Sequence, residues 1–357
     1  MNNCLVIIRN KKLNINYDRL SGFMRIFSEA CYYFDKISVV GFDSSKGISD
    51  QLIECKASYE NAIVLCNAEQ HEMIAGFFQK MYGESFDGYF LSSGTSSVAL
   101  GDIEGANNFA KACVNFLNEK YDIRYDKFYV KCVAAPSELI YDSIEKACKD
   151  GGDTAFAVYN SFGDQTIEIS YSSKTTKMVA DGIQHTLVSD LNDYVYTLDD
   201  STLEECLYEL LKLRRMKISF AESFTGGGVA ARLVSVPGAS EVFFEGITAY
   251  ANDAKRMRLK VTEATLQQQG AVSEKTAQEM VQGLLNTFNC DIAVSTTGIA
   301  GPQSDNTSKP VGLAYIGVGI RGGNIKVYKF NYQGDRESIT RTAINDALFI
   351  AYKTISN

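Results

Sequence analysis

The stretch from residue 218 to residue 228, Ile-Ser-Phe-Ala-Glu-Ser-Phe-Thr-Gly-Gly-Gly, restricts the fold of this chain more than any other. Its first four residues form an apolar run that predicts a buried strand, and a helical pattern begins at Val229. Three glycines lie between them, so we expect free backbone N–H groups at a helix N-terminus, which favour an anion such as phosphate. Ser223 and Thr225 would then lie at the carboxyl end of a strand, where open α/β sheets place their ligands. The alternative is a plain strand-to-helix turn whose glycines serve tight packing.

The first 120 residues alternate between short β-type runs and helical patterns, which indicates a βαβ-type parallel or mixed sheet. The ends of the predicted strands carry no phosphate-binding glycines. Residues 92–97 form a polar loop that we interpret as a surface loop rather than a ligand site. This part of the sequence therefore predicts an α/β domain without a recognisable site.

Residues from about 126 to 196 predict a small α+β unit that serves as a spacer or a dimerisation module. Ser201 and Glu204 are spaced as a capping box, and an amphipathic helix follows them. Further strands and helices alternate to the end of the chain, so the second half is also α/β. We expect three domains, at residues 1–125, 126–196 and 197–357.

Composition narrows the function. The chain has 357 residues, a net charge of −8 and a pI near 5.1, which argues against a nucleic-acid or anionic-membrane surface. No apolar run is long enough to span a bilayer, and we find no signal peptide. Nine cysteines without a CxxC or a Cys/His cluster indicate reduced thiols in a cytoplasmic protein, and no metal site is expected.

The histidine count restricts the mechanism. The chain has two histidines, His71 and His185, so the second half contains none after residue 185. A Ser-His-Asp or Cys-His arrangement within that half is therefore excluded. A nucleophile there must be activated by Lys, Tyr, a carboxylate or a helix dipole.

Several motifs in the second half occur together and in order. They are Ala-Glu-Ser-Phe-Thr-Gly-Gly at 221–227, Pro-Gly-Ala-Ser at 237–240, Thr-Ala-Tyr-Ala-Asn-Asp-Ala-Lys at 248–255, Gly-Ala-Val-Ser-Glu at 270–274, Thr-Gly-Ile-Ala-Gly-Pro at 297–302, Lys-Pro-Val-Gly at 309–312 and Gly-Asp-Arg at 334–336. From about 203 to 352 the chain resembles the C-terminal domain of the CinA family. It departs from the common family pattern at Phe224, where Cys is frequent, and at Ala251, where Ser is frequent.

The resemblance implies a three-layer α/β/α domain that hydrolyses the carboxamide of nicotinamide mononucleotide to nicotinate mononucleotide and ammonia. The expected catalytic residues are Ser223, Ser240, Tyr250, Lys255 and Thr297. The expected substrate-binding residues are Thr225, Gly226, Gly227, Asn252, Gly298, Gly301, Arg336 and Arg341. We expect no cofactor and no metal, no nucleic-acid or membrane partner, and a homodimer.

For the chemistry, Lys255 is the best candidate base, since a desolvated lysine can accept a proton. We expect Ser240 to be the nucleophile, with Ser223, Tyr250 and Lys255 relaying the proton, although the two serines could exchange roles or water could attack directly. Thr297 and backbone N–H groups of the glycine loops would hold the oxyanion or the amide. Arg341, together with Arg336, would pair with the phosphate.

The resemblance extends to the larger members of the family, which carry an N-terminal domain related to molybdopterin-binding proteins and linked to ADP-ribose pyrophosphatase activity, with a KH-like middle unit. The first 120 residues here have a matching order and spacing of strands, but they lack the Gly-Thr-Glu opening, the Gly-Gly-x-Gly-Pro-Thr loop and the Asp-Asp loop. We therefore expect a degenerate domain without pyrophosphatase activity.

Two other functions compete with the amidohydrolase. One is a catalytically inactive nucleotide-binding scaffold or regulatory protein. The other is a phosphatase or pyrophosphatase that uses the glycine loops, which would need a divalent cation. Each candidate residue also has a structural reading: Lys255 as a solvated charge, Ser240 as a helix N-cap, Tyr250 as a core residue and Arg341 as a surface i,i+4 partner.

Overall fold

A computed structural model describes residues 2–9, 17–41, 45–149, 151–304 and 308–356. Contacts between residues group the chain into two compact units. The N-terminal unit comprises residues 1–126 and 170–175, and the C-terminal unit comprises residues 127–169 and 176–357. The three-domain division expected from the sequence stays a prediction. Within the described ranges, none of the helices combines the length and apolarity that a bilayer crossing requires.

The N-terminal unit is a doubly wound α/β sheet. Its strands are β1 (Asn3–Arg9), β2 (Lys36–Gly41), β3 (Asn61–Cys66), β4 (Phe90–Ser93) and β5 (Ser96–Asp102), and its helices are α1 (Tyr17–Glu29), α2 (Ser45–Ser58), α3 (Ala68–Tyr82) and α4 (Ala106–Tyr121). The strand order is β2-β1-β3-β5-β4, with only the β4–β5 pair antiparallel among these strands.

Successive residues of β1 point to opposite faces, so Val6 packs against α2 and α3 while Ile7 packs against α1 and α4. The polar residues 92–97, which we expected to be a plain loop, form the ends of the β4–β5 hairpin. Gly94 turns it at a φ of 62°.

The C-terminal unit begins with a small four-stranded sheet in the order β7-β8-β6-β9. Its elements are β6 (Tyr125–Val133), α5 (Ser137–Cys148), β7 (Thr154–Ser161), β8 (Asp164–Ser172), α6 (Lys177–Asp190) and β9 (Val195–Thr197). The first two residues of β6 and the last three of β8 fall in the ranges grouped with the N-terminal unit. Helices α5 and α6 cover one face through a buried cluster that includes Val130, Ile144, Ile167 and Ile183.

The second sheet of this unit has the order β11-β10-β12-β13-β14, and the first three of these strands run parallel. The elements are α7 (Leu203–Arg214), β10 (Ile218–Glu222), α8 (Gly228–Val234), a 3-10 helix (Ala239–Glu241), β11 (Phe243–Thr248), α9 (Asn252–Leu259), α10 (Glu263–Gln268), α11 (Glu274–Leu285), β12 (Ile292–Gly298), β13 (Leu313–Ile320), β14 (Ile325–Asn331) and α12 (Arg336–Ser356).

Helices cover both faces of this second sheet. Phe220 faces a core formed with α7, α8 and α12, whereas Ala221 faces a core formed with α9 and α11. The predicted α/β class and its three-layer α/β/α arrangement are confirmed.

The predicted capping box lies one residue further along the chain than expected. Thr202, not Ser201, is the N-cap of α7: its side chain accepts from the Glu205 N–H, and the Glu205 carboxylate accepts from the Thr202 N–H. Leu203, the first residue of the helix, is completely buried.

Helix α12 carries the contacts between the small sheet and the second sheet. The Asn345 side chain donates to the backbone oxygens of Ser161 and Phe162, at 3.0 and 2.9 Å, and accepts from Arg232 at 2.9 Å. Ser161 is the last residue of β7, and Phe162 lies in the turn between β7 and β8. The buried Asn345 amide is thus one of the contacts that join the two sheets; the Tyr352 hydroxyl, which donates to the Tyr196 carbonyl at 3.0 Å, is another.

Candidate active site

A cavity of about 470 Å³ opens at the carboxyl ends of β10 and β12. This is the position that a ligand takes in an open α/β sheet. Its described lining residues are Ser223, Phe224, Tyr250, Asn252, Lys255, Leu266, Gly270, Ala271, Val272, Thr297, Gly298, Ile299, Ala300, Gly301, Gln303 and Arg336. The structure therefore brings together most of the residues that the sequence proposed.

Lys255 and Ser223 form the centre of this cavity. Lys255 is 1% exposed, and its Nζ lies 2.9 Å from the Ser223 Oγ. The same nitrogen donates to the backbone oxygens of Ala249 and Tyr250, at 2.8 and 3.0 Å. Burial lowers the pKa of Lys255 from 10.5 to about 8, because the ammonium ion loses its hydration.

The three contacts serve both protonation states of this amine. A protonated Nζ donates its three N–H groups to the two carbonyl oxygens and to the Ser223 Oγ, whereas an uncharged Nζ keeps two N–H groups for the carbonyl oxygens and has a lone pair available to the Ser223 hydroxyl. In that state Lys255 can take the hydroxyl proton from Ser223. The pair therefore supplies a nucleophile and its base without a histidine.

The turn after Ser223 differs from the sequence prediction. Its N–H groups were expected to bind an external anion, but the Glu222 carboxylate accepts from the N–H groups of Gly227, Val229 and Ala230 at 3.0, 3.1 and 2.9 Å. The N–H of Gly226 donates to the Ser223 carbonyl. The internal carboxylate thus occupies the helix N-terminus where we expected a phosphate.

Three predicted binding residues are consequently displaced from the site. Thr225, Gly226 and Gly227 are absent from the described residues that line the cavity. The Thr225 hydroxyl is buried and lies 2.6 Å from the Thr296 hydroxyl. Gly227 has a φ of 99°, a left-handed conformation that glycine adopts without a steric penalty, so it serves the turn.

Two N–H groups of the same turn have no acceptor in the part of the chain that the structure describes. They belong to Phe224 and Thr225, the residues directly after Ser223. Free N–H groups beside a nucleophile are the groups that stabilise a developing oxyanion in acyl transfer.

Thr297 lines the cavity from the carboxyl end of β12. It is 1% exposed, and its hydroxyl donates to the Ala271 carbonyl at 2.7 Å, which leaves the Oγ1 lone pairs as acceptors. Lys309 holds the same loop, since its Nζ donates to the carbonyls of Gln269 and Val272. Gly298 and Gly301 line the cavity as predicted.

Tyr250, Asn252 and Arg336 form the outer rim. Tyr250 is 60% exposed, and its hydroxyl accepts from the Arg336 guanidinium at 3.2 Å. A second guanidinium nitrogen of Arg336 donates to the Gly301 carbonyl at 2.8 Å. Tyr250 meets Lys255 through its backbone oxygen rather than through its hydroxyl, so the structure does not place the phenol in a proton relay with Lys255.

The structure does not bring Ser240 to this site. Ser240 lies in the 3-10 helix just before β11, and its carbonyl and that of Glu241 accept from Lys217, the residue before β10. Because β10 and β11 run parallel, Ser240 lies at their amino ends and Ser223 at their carboxyl ends. Five residues of strand separate the two edges by roughly 15 Å or more. The expected role of Ser240 as the nucleophile is therefore corrected.

Arg341 also lies away from the cavity. Its guanidinium lies 4.9 Å from the centre of the Phe162 ring, and it pairs with Glu337 one turn earlier in the helix. Its side chain is 57% exposed. Of the two arginines, Arg336, in the first turn of α12, is the one that lines the cavity among the described residues.

A buried pair lies beside the cavity. Phe224 packs in a cluster with Tyr332, whose hydroxyl donates to the Asp346 carboxylate at 2.7 Å. Burial raises the pKa of Asp346 from 3.8 to about 6. No sequence pattern indicates this pair, and the one sequence signal for the role of Glu222 is its position just before Ser223 at a strand end.

Comparison with known proteins gives matches concentrated in the second half. Residues 200–355 match the family model described as the CinA C-terminal domain. A protein of Caldicellulosiruptor saccharolyticus, which bears the provisional name competence-damage inducible protein, is 36% identical over 251 residues, or 67% of this chain and 61% of the relative. A CinA-like protein of Fusobacterium nucleatum is 45% identical over 172 residues, or 48% of this chain and 42% of the relative.

Among solved structures, the competence/damage inducible protein CihA from Agrobacterium tumefaciens is 35% identical, with a TM-score of 0.42. The match covers 43% of this chain and 94% of that one. The chain spans 61%, 53% and 42% of the length of three curated relatives.

Proposed function

Because residues 200–355 belong to the CinA family, we propose that the C-terminal unit hydrolyses the carboxamide of nicotinamide mononucleotide to nicotinate mononucleotide and ammonia. The observation that carries the proposal is the 2.9 Å contact between the Lys255 Nζ and the Ser223 Oγ inside a cavity. A buried lysine with a pKa near 8 is a competent base close to neutral pH.

The first half of the reaction forms an acyl-enzyme. Neutral Lys255 takes the hydroxyl proton of Ser223, and the Oγ bonds to the carboxamide carbon. The N–H group of Phe224, which lines the cavity, stabilises the oxyanion, and the Thr297 hydroxyl oxygen accepts from the substrate NH₂ group. Lys255 then gives its proton to the departing nitrogen as the C–N bond breaks, which releases ammonia and leaves an ester on Ser223.

The second half of the reaction returns the enzyme to its starting state. Water gives a proton to Lys255 and attacks the ester carbon. The C–O bond to Ser223 then breaks, Ser223 recovers its proton from Lys255, and nicotinate mononucleotide leaves. Proton count and bonds balance over the cycle without an additional reactant.

Binding of the mononucleotide uses the outer rim. Arg336 presents guanidinium N–H groups at the cavity mouth, where they can pair with the phosphate. Asn252 supplies an amide beside it. The carboxamide end then points inward to Ser223, and the phosphate end points outward.

The test is ammonia release from nicotinamide mononucleotide by the purified full-length chain without added metal. Wild type should release ammonia, and Ser223→Ala should lose at least about a hundredfold in kcat. Protein quenched during turnover should carry an ester on Ser223. No ammonia from wild type, or unchanged release by Ser223→Ala, would contradict the proposal and favour an inactive nucleotide-binding protein.

We further propose that the N-terminal unit contributes no pyrophosphatase activity, because the loop sequences that would bind metal and pyrophosphate in such a domain are missing. Ser223→Ala, which inactivates only the amide chemistry, allows a clean measurement on the full chain. Turnover of ADP-ribose by that variant in the presence of a divalent cation would contradict this assignment.

A further inference from the structure

Glu222 is an unusual residue to find at the end of a buried strand. It is 1% exposed, and its two carboxylate oxygens accept three backbone N–H groups from residues 227, 229 and 230. Its backbone carbonyl accepts from Ala249 at 2.7 Å. Burying a carboxylate is costly unless charged hydrogen bonds compensate, and here both oxygens are used.

These contacts close a loop around the nucleophile. The side chain of Glu222 reaches five to eight residues ahead, so residues 223–226 lie inside a ring that the carboxylate completes. Inside it, the Ser223 N–H donates to the Thr296 carbonyl at 2.9 Å, and the Ser223 carbonyl accepts from Gly226 at 3.1 Å. The backbone of Ser223 is therefore held on both sides, and its Oγ is directed at Lys255.

We propose that Glu222 is a positioning residue that sets the angle and distance of the Ser223 hydroxyl relative to Lys255. This inference rests on the proposed function only in naming Ser223 as the nucleophile. Glu222 acts through the turn, since it is absent from the described residues that line the cavity. The same turn carries the free N–H groups of Phe224 and Thr225, so Glu222 also fixes the expected oxyanion site.

A second consequence concerns the orientation of the substrate. The Glu222 carboxylate already accepts the N–H groups of residues 227, 229 and 230, so these groups are not available to a phosphate of the substrate. The substrate therefore lies with its phosphate at the Arg336 side of the cavity.

The test compares Glu222→Gln and Glu222→Asp with wild type. Glutamine matches the size of glutamate but places an NH₂ group against N–H donors, so at least one of the three contacts is lost. We expect kcat for ammonia release to fall at least tenfold and KM to stay within about threefold of wild type. The reason is that a change in the turn displaces Ser223, which lies in the turn, more than the residues of the outer rim, which bind the substrate. Aspartate keeps the charge on a shorter side chain and should recover part of the loss.

Thr202→Ala is the matched control, since it removes a comparable N-cap contact at α7, away from the cavity. It should lower the melting temperature and leave kcat unchanged. A second readout does not depend on the substrate: the rate at which a fluorophosphonate labels Ser223 should fall in Glu222→Gln by a factor similar to kcat, and not in Thr202→Ala.

A labelling rate in Glu222→Gln equal to that of wild type would overturn the proposal. It would also be overturned if kcat fell in both Glu222→Gln and Thr202→Ala in proportion to the loss of melting temperature. If Glu222→Gln fails to fold, Glu222→Asp gives the same comparison, and an unchanged labelling rate in it is equally decisive. If wild type releases no ammonia, the proposed function fails, while the labelling comparison still decides the role of Glu222.

Discussion

The pKa of Lys255 leads to a quantitative prediction about pH. With a pKa of about 8, roughly one molecule in ten carries the neutral amine at pH 7 and roughly nine in ten at pH 9. Because the neutral amine is the base, kcat/KM should rise about tenfold between these pH values, with a midpoint near 8. Initial rates of ammonia release, measured with substrate well below KM across this range, provide the test.

Lys255→Met removes the base and keeps the length of the side chain. We expect kcat/KM to fall by about a hundredfold or more, and the remaining activity should lose its midpoint near pH 8. Lys255→Arg provides the matched control, since it keeps a cation that cannot lose its proton in this range. It should be inactive at every pH, which separates the loss of a base from the loss of a positive charge.

Lys255→Met should lower activity but raise the stability of the folded protein. In the folded protein the pKa of Lys255 is about 8, below its ordinary 10.5, so the folded state disfavours the bound proton. This corresponds to about 3 kcal/mol of lost stability, present in full below pH 8 and relieved as the pH rises from 8 to 10.5. Lys255→Met should therefore increase the free energy of unfolding at pH 7 by about 1–3 kcal/mol.

The expected phenotype is a more stable and inactive protein, which few substitutions of a purely structural residue would give. Denaturant unfolding at pH 7 and pH 10 measures it, and the gain should shrink at the higher pH. A flat pH profile in wild type, or a Lys255→Met variant that is both active and destabilised at pH 7, would refute the assignment of Lys255 as a buried base.

Three further predictions concern single residues. Ser240→Ala should leave kcat and KM for ammonia release within about twofold of wild type, because this serine lies at the amino ends of the strands. Arg336→Ala should raise KM for the mononucleotide about tenfold or more and leave the riboside unaffected, whereas Arg341→Ala should change neither. Asp346→Asn should stabilise the protein at pH 8, in denaturant unfolding, and lose that gain below pH 4, because burial raises the pKa of this carboxyl to about 6.

The sequence predicted the layers of the second half well, because strands such as 218–222 and 292–298 are apolar runs that end in glycine loops. It also placed Ser223 and Thr297 correctly, since both lie at the carboxyl ends of such strands. Ser240 was misplaced although the order of elements could have located it. A residue just before a parallel strand lies at the opposite edge of the sheet from a residue just after one.

Two other errors have different physical origins. Arg336 and Arg341 are five residues apart on one helix, which rotates them by about 140°, and the sequence pattern does not say which of them faces the cavity. The glycine turn was expected to bind an external anion because its N–H groups were counted without the neighbouring side chain. Glu222 satisfies them internally, and only the coordinates reveal a contact between residues five to eight apart in a turn.

Asn345 restricts where the chain can be shortened. Its amide group needs the carbonyls of residues 161 and 162, which come from the end of β7 and the turn that follows it, more than 180 residues earlier in the chain. A fragment that starts at residue 197 would leave those two N–H groups without acceptors in a nearly buried position and would also remove Phe162 from beneath Arg341. Anyone trimming this protein for crystallisation should therefore keep the β7–β8 hairpin attached.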